Sequence, residues 1–121
     1  MKKAIMLTII LSMVLITTQI QATCTDNSPM VYCSVNTTTT DGSRFYMPVN
    51  QSLSVMGHTV WSGSGTSLSS ATCDGWNFFD TVADSSNPSV YNFGSLTATF
   101  GYVDLYVSTQ TVGYAYVQAT W

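Results

Sequence analysis

Beyond Lys3 the chain carries one cationic side chain, Arg44, and it has no glutamate anywhere. A nucleic-acid partner needs a basic footprint to neutralise phosphates, and one arginine cannot supply it. Electrostatic attraction to an anionic membrane is excluded for the same reason. Histidine is nearly absent too: His58 stands alone. Cysteine is limited to Cys24, Cys33 and Cys73, with no Cys-x-x-Cys pair to make a zinc site. There is no Gly-x-Ser-x-Gly elbow, no EF-hand spacing and no internal repeat. Asp74, Asp80 and Asp84 fall at turns, where aspartate is usual. A hydrolase built on His58 or on paired aspartates is therefore the least favoured function, and no metal or cofactor is expected.

The N-terminus is different in kind. Lys2 and Lys3 precede an apolar run, Ala4 to Ile16, broken only by Thr8 and Ser12; a polar stretch to Gln21 then ends at Ala22. A basic start, a short apolar core and a small residue at the exit predict a secretory signal peptide at 1–22. The run is too short for a membrane span, which needs about 20 residues, so no transmembrane segment is expected in the mature chain. Thr23 and Gln21 do not fit the pattern that precedes a lipid-modified cysteine, so Cys24 reads as a thiol or disulfide partner. The mature chain would be 23–121, with one cation against six aspartates for a formal charge of −5. The double-lysine start suggests a bacterial protein that is secreted, periplasmic or displayed at the cell surface.

About 99 residues make one domain with a thin core, which a covalent staple would help. An oxidising compartment favours one bridge, and three cysteines allow three pairings. Cys33–Cys73 is favoured, because the longer loop stabilises more, by about 3–4 kcal/mol, and joins two expected strands.

What the chain does have is serine, threonine, β-branched and aromatic residues, which favour strands over helices. Met30 to Thr39 and Arg44 to Val49 read as strands joined by an Asp41-Gly42 hairpin turn, with Pro48 marking an edge. Leu53 to Trp61 places Leu53, Val55, Thr59 and Trp61 on one face. Leu68 to Cys73 is a short strand, and Trp76 to Val82 fits one helical turn. Val90 to Phe93 starts a strand. Leu96 to Val107 reads as a long strand that pairs with Val112 to Trp121 as an antiparallel hairpin. Six to eight short strands predict an all-β fold, a small antiparallel β-sandwich or barrel.

Rings beside neutral polar groups are the remaining signal. Tyr102 and Tyr106 share one face of the first C-terminal strand, opposite Val103, Leu105 and Val107. Tyr114 and Tyr116 share one face of the second, opposite Ala115, Val117 and Ala119. Only one face of an antiparallel strand needs burial, so these tyrosines are surplus to the core. With Trp61 and Trp76 they are the candidate binding residues. The expected function is a binding module that recognises a glycan or a protein through aromatic and neutral polar residues. Two alternatives remain. One is a self-assembling subunit of a surface fibre or coat, since a lysine-free C-terminal edge strand invites strand addition and a homo-oligomer. The other is a small periplasmic inhibitor or immunity protein.

Overall fold

Alternating burial along nearly every strand sorts the chain into two packed sheets. The computed structural model describes residues 22–36, 38–73, 78–110 and 113–121. The leader read at 1–22, apart from Ala22, lies outside these residues, as do Trp76 and the Asp74-Gly75 turn. Among the described residues nine strands form: β1 (Ala22–Asn27), β2 (Met30–Val35), β3 (Thr39–Tyr46), β4 (Gln51–Val60), β5 (Ser67–Thr72), β6 (Phe78–Ala83), β7 (Ser89–Ala98), β8 (Tyr102–Thr109) and β9 (Tyr114–Thr120). One sheet has the order β1-β2-β9-β4-β7 and the other β3-β8-β5-β6. All pairings are antiparallel. The fold is a β-sandwich, with sheets facing each other across a shared core.

The core is the sum of the inward positions. Val31, Cys33, Val35, Leu53, Val55, Val117 and Ala119 come from the five-stranded sheet; Phe45, Ala71, Val103, Leu105 and Val107 come from the other. The alternation expected for Leu53, Val55 and Thr59, and for the two C-terminal strands, is observed. Trp121 packs half-buried against this cluster.

Several local expectations are corrected. Asp41-Gly42 is no turn: both residues lie inside β3, which pairs with β8 along its whole length, while β2 pairs with β1 and β9. Glycine at 42 serves close approach instead, because a Cβ there would sit 3.0 Å from the Leu105 carbonyl oxygen and 3.3 Å from the Tyr106 ring. The long strand read from Leu96 to Val107 is broken at Gly101, whose φ of 77° turns the chain from one sheet into the other. The C-terminal strands do not pair with each other. β8 sits between β3 and β5, and β9 between β2 and β4, so both are interior strands and neither is the exposed edge. The stretch from Phe78 to Val82, read as a helical turn, is strand β6 paired with β5.

The disulfide is also corrected. Cys33 is bonded to Cys24, not to Cys73. The unforeseen strand β1 explains the difference: it places Cys24 directly opposite Cys33 across the β1–β2 pair. Cys73 is buried and outside that bridge.

One end of the core is polar. Thr59, Ser67, Ser69, Thr81 and Thr109 are all buried. Ser67 and Thr109 share a hydrogen bond of 2.9 Å, and the Thr59 hydroxyl meets those of Ser69 and Thr81. Burial of these hydroxyls is tolerated because each finds a partner. Gly113 closes this end: a Cβ there would lie 2.6 Å from the Val60 carbonyl oxygen and 2.8 Å from Ser67 Oγ.

Candidate functional site: an aromatic outer sheet face

The five-stranded sheet turns inward with Val31, Cys33 and Val35 on β2, Val55 and Thr59 on β4, and Ala115, Val117 and Ala119 on β9. The two-residue period therefore sends Tyr32, His58, Tyr114 and Tyr116 to the outer face. Register then aligns them: Tyr116 stands opposite His58, and His58 opposite Tyr91. The rings touch in sequence across four strands. Tyr32 stacks with Tyr116 at 5.8 Å between centroids, and Tyr116 with Tyr114 at 6.4 Å, nearly parallel. His58 meets Tyr114 edge-on at 5.9 Å and Tyr91 at 5.4 Å. These separations fall in the range where aromatic pairs attract.

Neutral polar groups border the rings. The Tyr116 hydroxyl donates to Gln118 Oε1, and Gln118 Nε2 donates to Thr120 Oγ1 at 3.1 Å. The Tyr91 hydroxyl points to the Met56 sulfur. Burial raises the pKa of the Tyr114 and Tyr116 phenols, reinforced at Tyr116 by the neighbouring tyrosines. Both therefore stay neutral donors at physiological pH. Among the described residues, no outward position of the five strands holds an aspartate, glutamate, lysine or arginine.

The platform is fixed from below. Ser69, on β5 of the opposite sheet, accepts a hydrogen bond from the Tyr116 backbone N–H at 3.1 Å and donates to the His58 carbonyl at 3.2 Å. One buried hydroxyl thus ties the centre of the aromatic row to the other sheet.

Of the sequence candidates, only Tyr114 and Tyr116 belong to this row. Tyr102 and Tyr106 lie on the outer face of the other sheet, on the opposite side of the sandwich, so the two pairs cannot form one surface. There the Arg44 guanidinium binds both carboxylate oxygens of Asp104, at 2.7 and 2.9 Å, and lies 3.9 Å over the Tyr102 ring. The hydrogen bonds to Asp104 hold the Arg44 pKa above its ordinary value. Phe100 stacks on Tyr102 at 6.5 Å. Trp61 is half-buried just beyond β4, and its Nε1 finds no acceptor among the described residues. Trp76 lies outside the described residues. Tyr32, Tyr91 and His58 were not anticipated as parts of a site. For Tyr32 a signal existed: it alternates with Val31, Cys33 and Val35, as Tyr116 alternates with Ala115 and Val117.

Among the described residues, no helix is long and apolar enough to cross a membrane. No family model matches the sequence, and no curated protein matches it. Among solved structures, a carbohydrate binding module from Cellvibrio mixtus lichenase 5A in complex with cellotriose is similar with a TM-score of 0.38 and 10% identity, over 84% of this chain and 86% of that one. A likeness at that level carries no argument about function.

Proposed function

We propose that the protein is an exported, non-catalytic binding module whose outer five-stranded face recognises a neutral saccharide. The observation that carries this reading is the unbroken row Tyr32–Tyr116–Tyr114–His58–Tyr91 on a face without aspartate, glutamate, lysine or arginine among the described residues. Aromatic faces suit the C–H faces of sugar rings, and adjacent amide and hydroxyl groups suit sugar hydroxyls. Three inter-strand steps span about 14 Å, enough for a short oligosaccharide. An ionic ligand would leave its charge unmatched on this face.

The disulfide of Cys24 with Cys33 accords with an oxidising destination, secreted, periplasmic or at the cell surface. Titration calorimetry against a panel of neutral oligosaccharides tests the reading. Tyr116→Ala should weaken binding about 30-fold, as expected for a central aromatic contact of about 2 kcal/mol. Tyr106→Ala, on the opposite side of the sandwich, should leave affinity unchanged. If no neutral saccharide binds, or if both substitutions weaken binding equally, the reading is wrong.

A further inference from the structure

Four strands end the two sheets, and they differ in how they are protected. β1 is six residues long, carries Asp26 and is pinned by the Cys24–Cys33 bridge. β3 carries Asp41 and Arg44, and β6 is six residues long with Asp80. β7, ten residues from Ser89 to Ala98, has neither a charged residue nor a proline. Edges are ordinarily blunted by charge, proline or shortness, because their open backbone groups otherwise template strand addition. Among the described residues no strand pairs with the free side of β7.

We propose that β7 is a self-association edge: two copies of the chain pair antiparallel through β7 to form one continuous ten-stranded sheet. The inference does not depend on the saccharide reading. A second copy is the favoured occupant for two reasons. Self-pairing of β1, β3 or β6 would bring aspartates of the two copies to one edge, whereas β7 meets itself without any charge. The strand is also self-complementary in register. Val90 and Leu96 are its half-buried apolar positions on the core side, facing Thr59 and Leu53 of β4. They lie equally far from position 93, so a two-fold axis there sets Val90 of each copy opposite Leu96 of the other. The same register sets Tyr91 opposite Ser95 and Ser89 opposite Thr97. Shifting the axis by one residue leaves Val90 opposite Gly94 or Leu96 opposite Asn92, and the core-side match is lost. A two-fold, isologous contact of this kind closes as a dimer and does not propagate on its own. It would also place the two aromatic faces side by side, with Tyr91 of each copy next to the axis.

Sedimentation equilibrium of the exported protein tests the proposal. The native chain should be a dimer that Asn92→Lys with Ser95→Lys converts to monomer. Both of these side chains are exposed in the single copy, so the unfolding transition should be retained. Position-specific crosslinking gives a second readout. Ser89→Cys combined with Thr97→Cys should form a covalent dimer under mild oxidation, because the two sites meet only across the proposed axis. A native chain that stays monomeric up to about 100 µM would overturn the proposal. So would a dimer that survives the lysine pair and fails to crosslink through positions 89 and 97.

Discussion

Ser69→Ala is the sharpest test of how the aromatic face is held. The residue is fully buried on β5, and its hydroxyl has one proton to give. That proton goes to the His58 carbonyl, at 3.2 Å. The oxygen accepts the Tyr116 N–H at 3.1 Å and lies 3.3 Å from Thr59 Oγ1, which can donate in turn. Removing the hydroxyl withdraws a partner from a backbone N–H and a backbone carbonyl at once, inside a site closed to solvent. His58 and Tyr116 also pair within the sheet ladder, so neither backbone group is left bare. Two hydrogen bonds lost, at about 0.5–1 kcal/mol net each, give about 1–2 kcal/mol of lost stability. For a domain of this size that is a fall in Tm of roughly 5–15 °C. Denaturant unfolding and calorimetry measure it. Ser70→Ala, one residue along and outward-facing, is the control and should stay within about 0.5 kcal/mol. If Ser69→Ala also falls within that margin, the hydroxyl bridge does not hold the two sheets, and the account of the buried polar end is wrong.

Two further outcomes follow from the covalent and acid–base chemistry. Non-reducing peptide mapping should join the peptides of Cys24 and Cys33, with Cys73 shielded from alkylating reagent until the domain unfolds. Breaking that bridge with Cys24→Ser and Cys33→Ser should cost about 3 kcal/mol, the chain-entropy value for a loop of roughly ten residues, and a linked Cys33–Cys73 peptide would refute the pairing. At alkaline pH the raised phenol pKa values of Tyr114 and Tyr116 set the sign. The unfolded chain ionises first, near the ordinary value of 10.0, so stability that is intact below pH 10 should be lost as pH rises through the higher folded-state values. Tyr114→Phe with Tyr116→Phe should remove that slope, and an unchanged pH profile would show that burial does not hold these phenols neutral.

Which side faces the core was legible in the sequence for β4, β8 and β9, because burial imposes a period of two and these strands are apolar at that period. Leu53-Val55, Val103-Leu105-Val107 and Ala115-Val117-Ala119 all face inward as their alternation predicts. Which strand lies beside which was not legible. A sandwich of this topology keeps some consecutive strands together, β1 with β2 and β5 with β6, and sends the others to different sheets, and nothing local distinguishes a strand that turns back on itself from one that crosses over. Asp41-Gly42 shows the difficulty. The dipeptide is a strong hairpin signal by conformational preference, yet at position 42 the missing Cβ is needed for the approach of Tyr106, which is a tertiary fact. The disulfide was misassigned by the same route. Loop length favoured Cys73, but the pairing follows from register, and β1 was not recognised as a strand at all.

The candidate site was half legible for a related reason. Tyr114 and Tyr116 could be found because they alternate with small apolar residues on a single strand, and two residues on one strand share a face whatever the topology. Tyr32, His58 and Tyr91 join them only through inter-strand register, which places β2, β4 and β7 around β9. The same fact removes Tyr102 and Tyr106, whose strand is adjacent in sequence but belongs to the opposite sheet. Composition adds a physical reason why such a face can remain open to solvent. In a chain with so few charges, solubility must come from hydroxyl and amide groups, and these share the face with the rings: Ser34 stands opposite Tyr116, and Gln118, Thr120, Ser54 and Ser95 lie farther along the same strands. The polarity that keeps the aromatic row in water is thus of the same chemical kind as that of a neutral saccharide, and a ligand could replace those waters group for group without burying an unpaired charge.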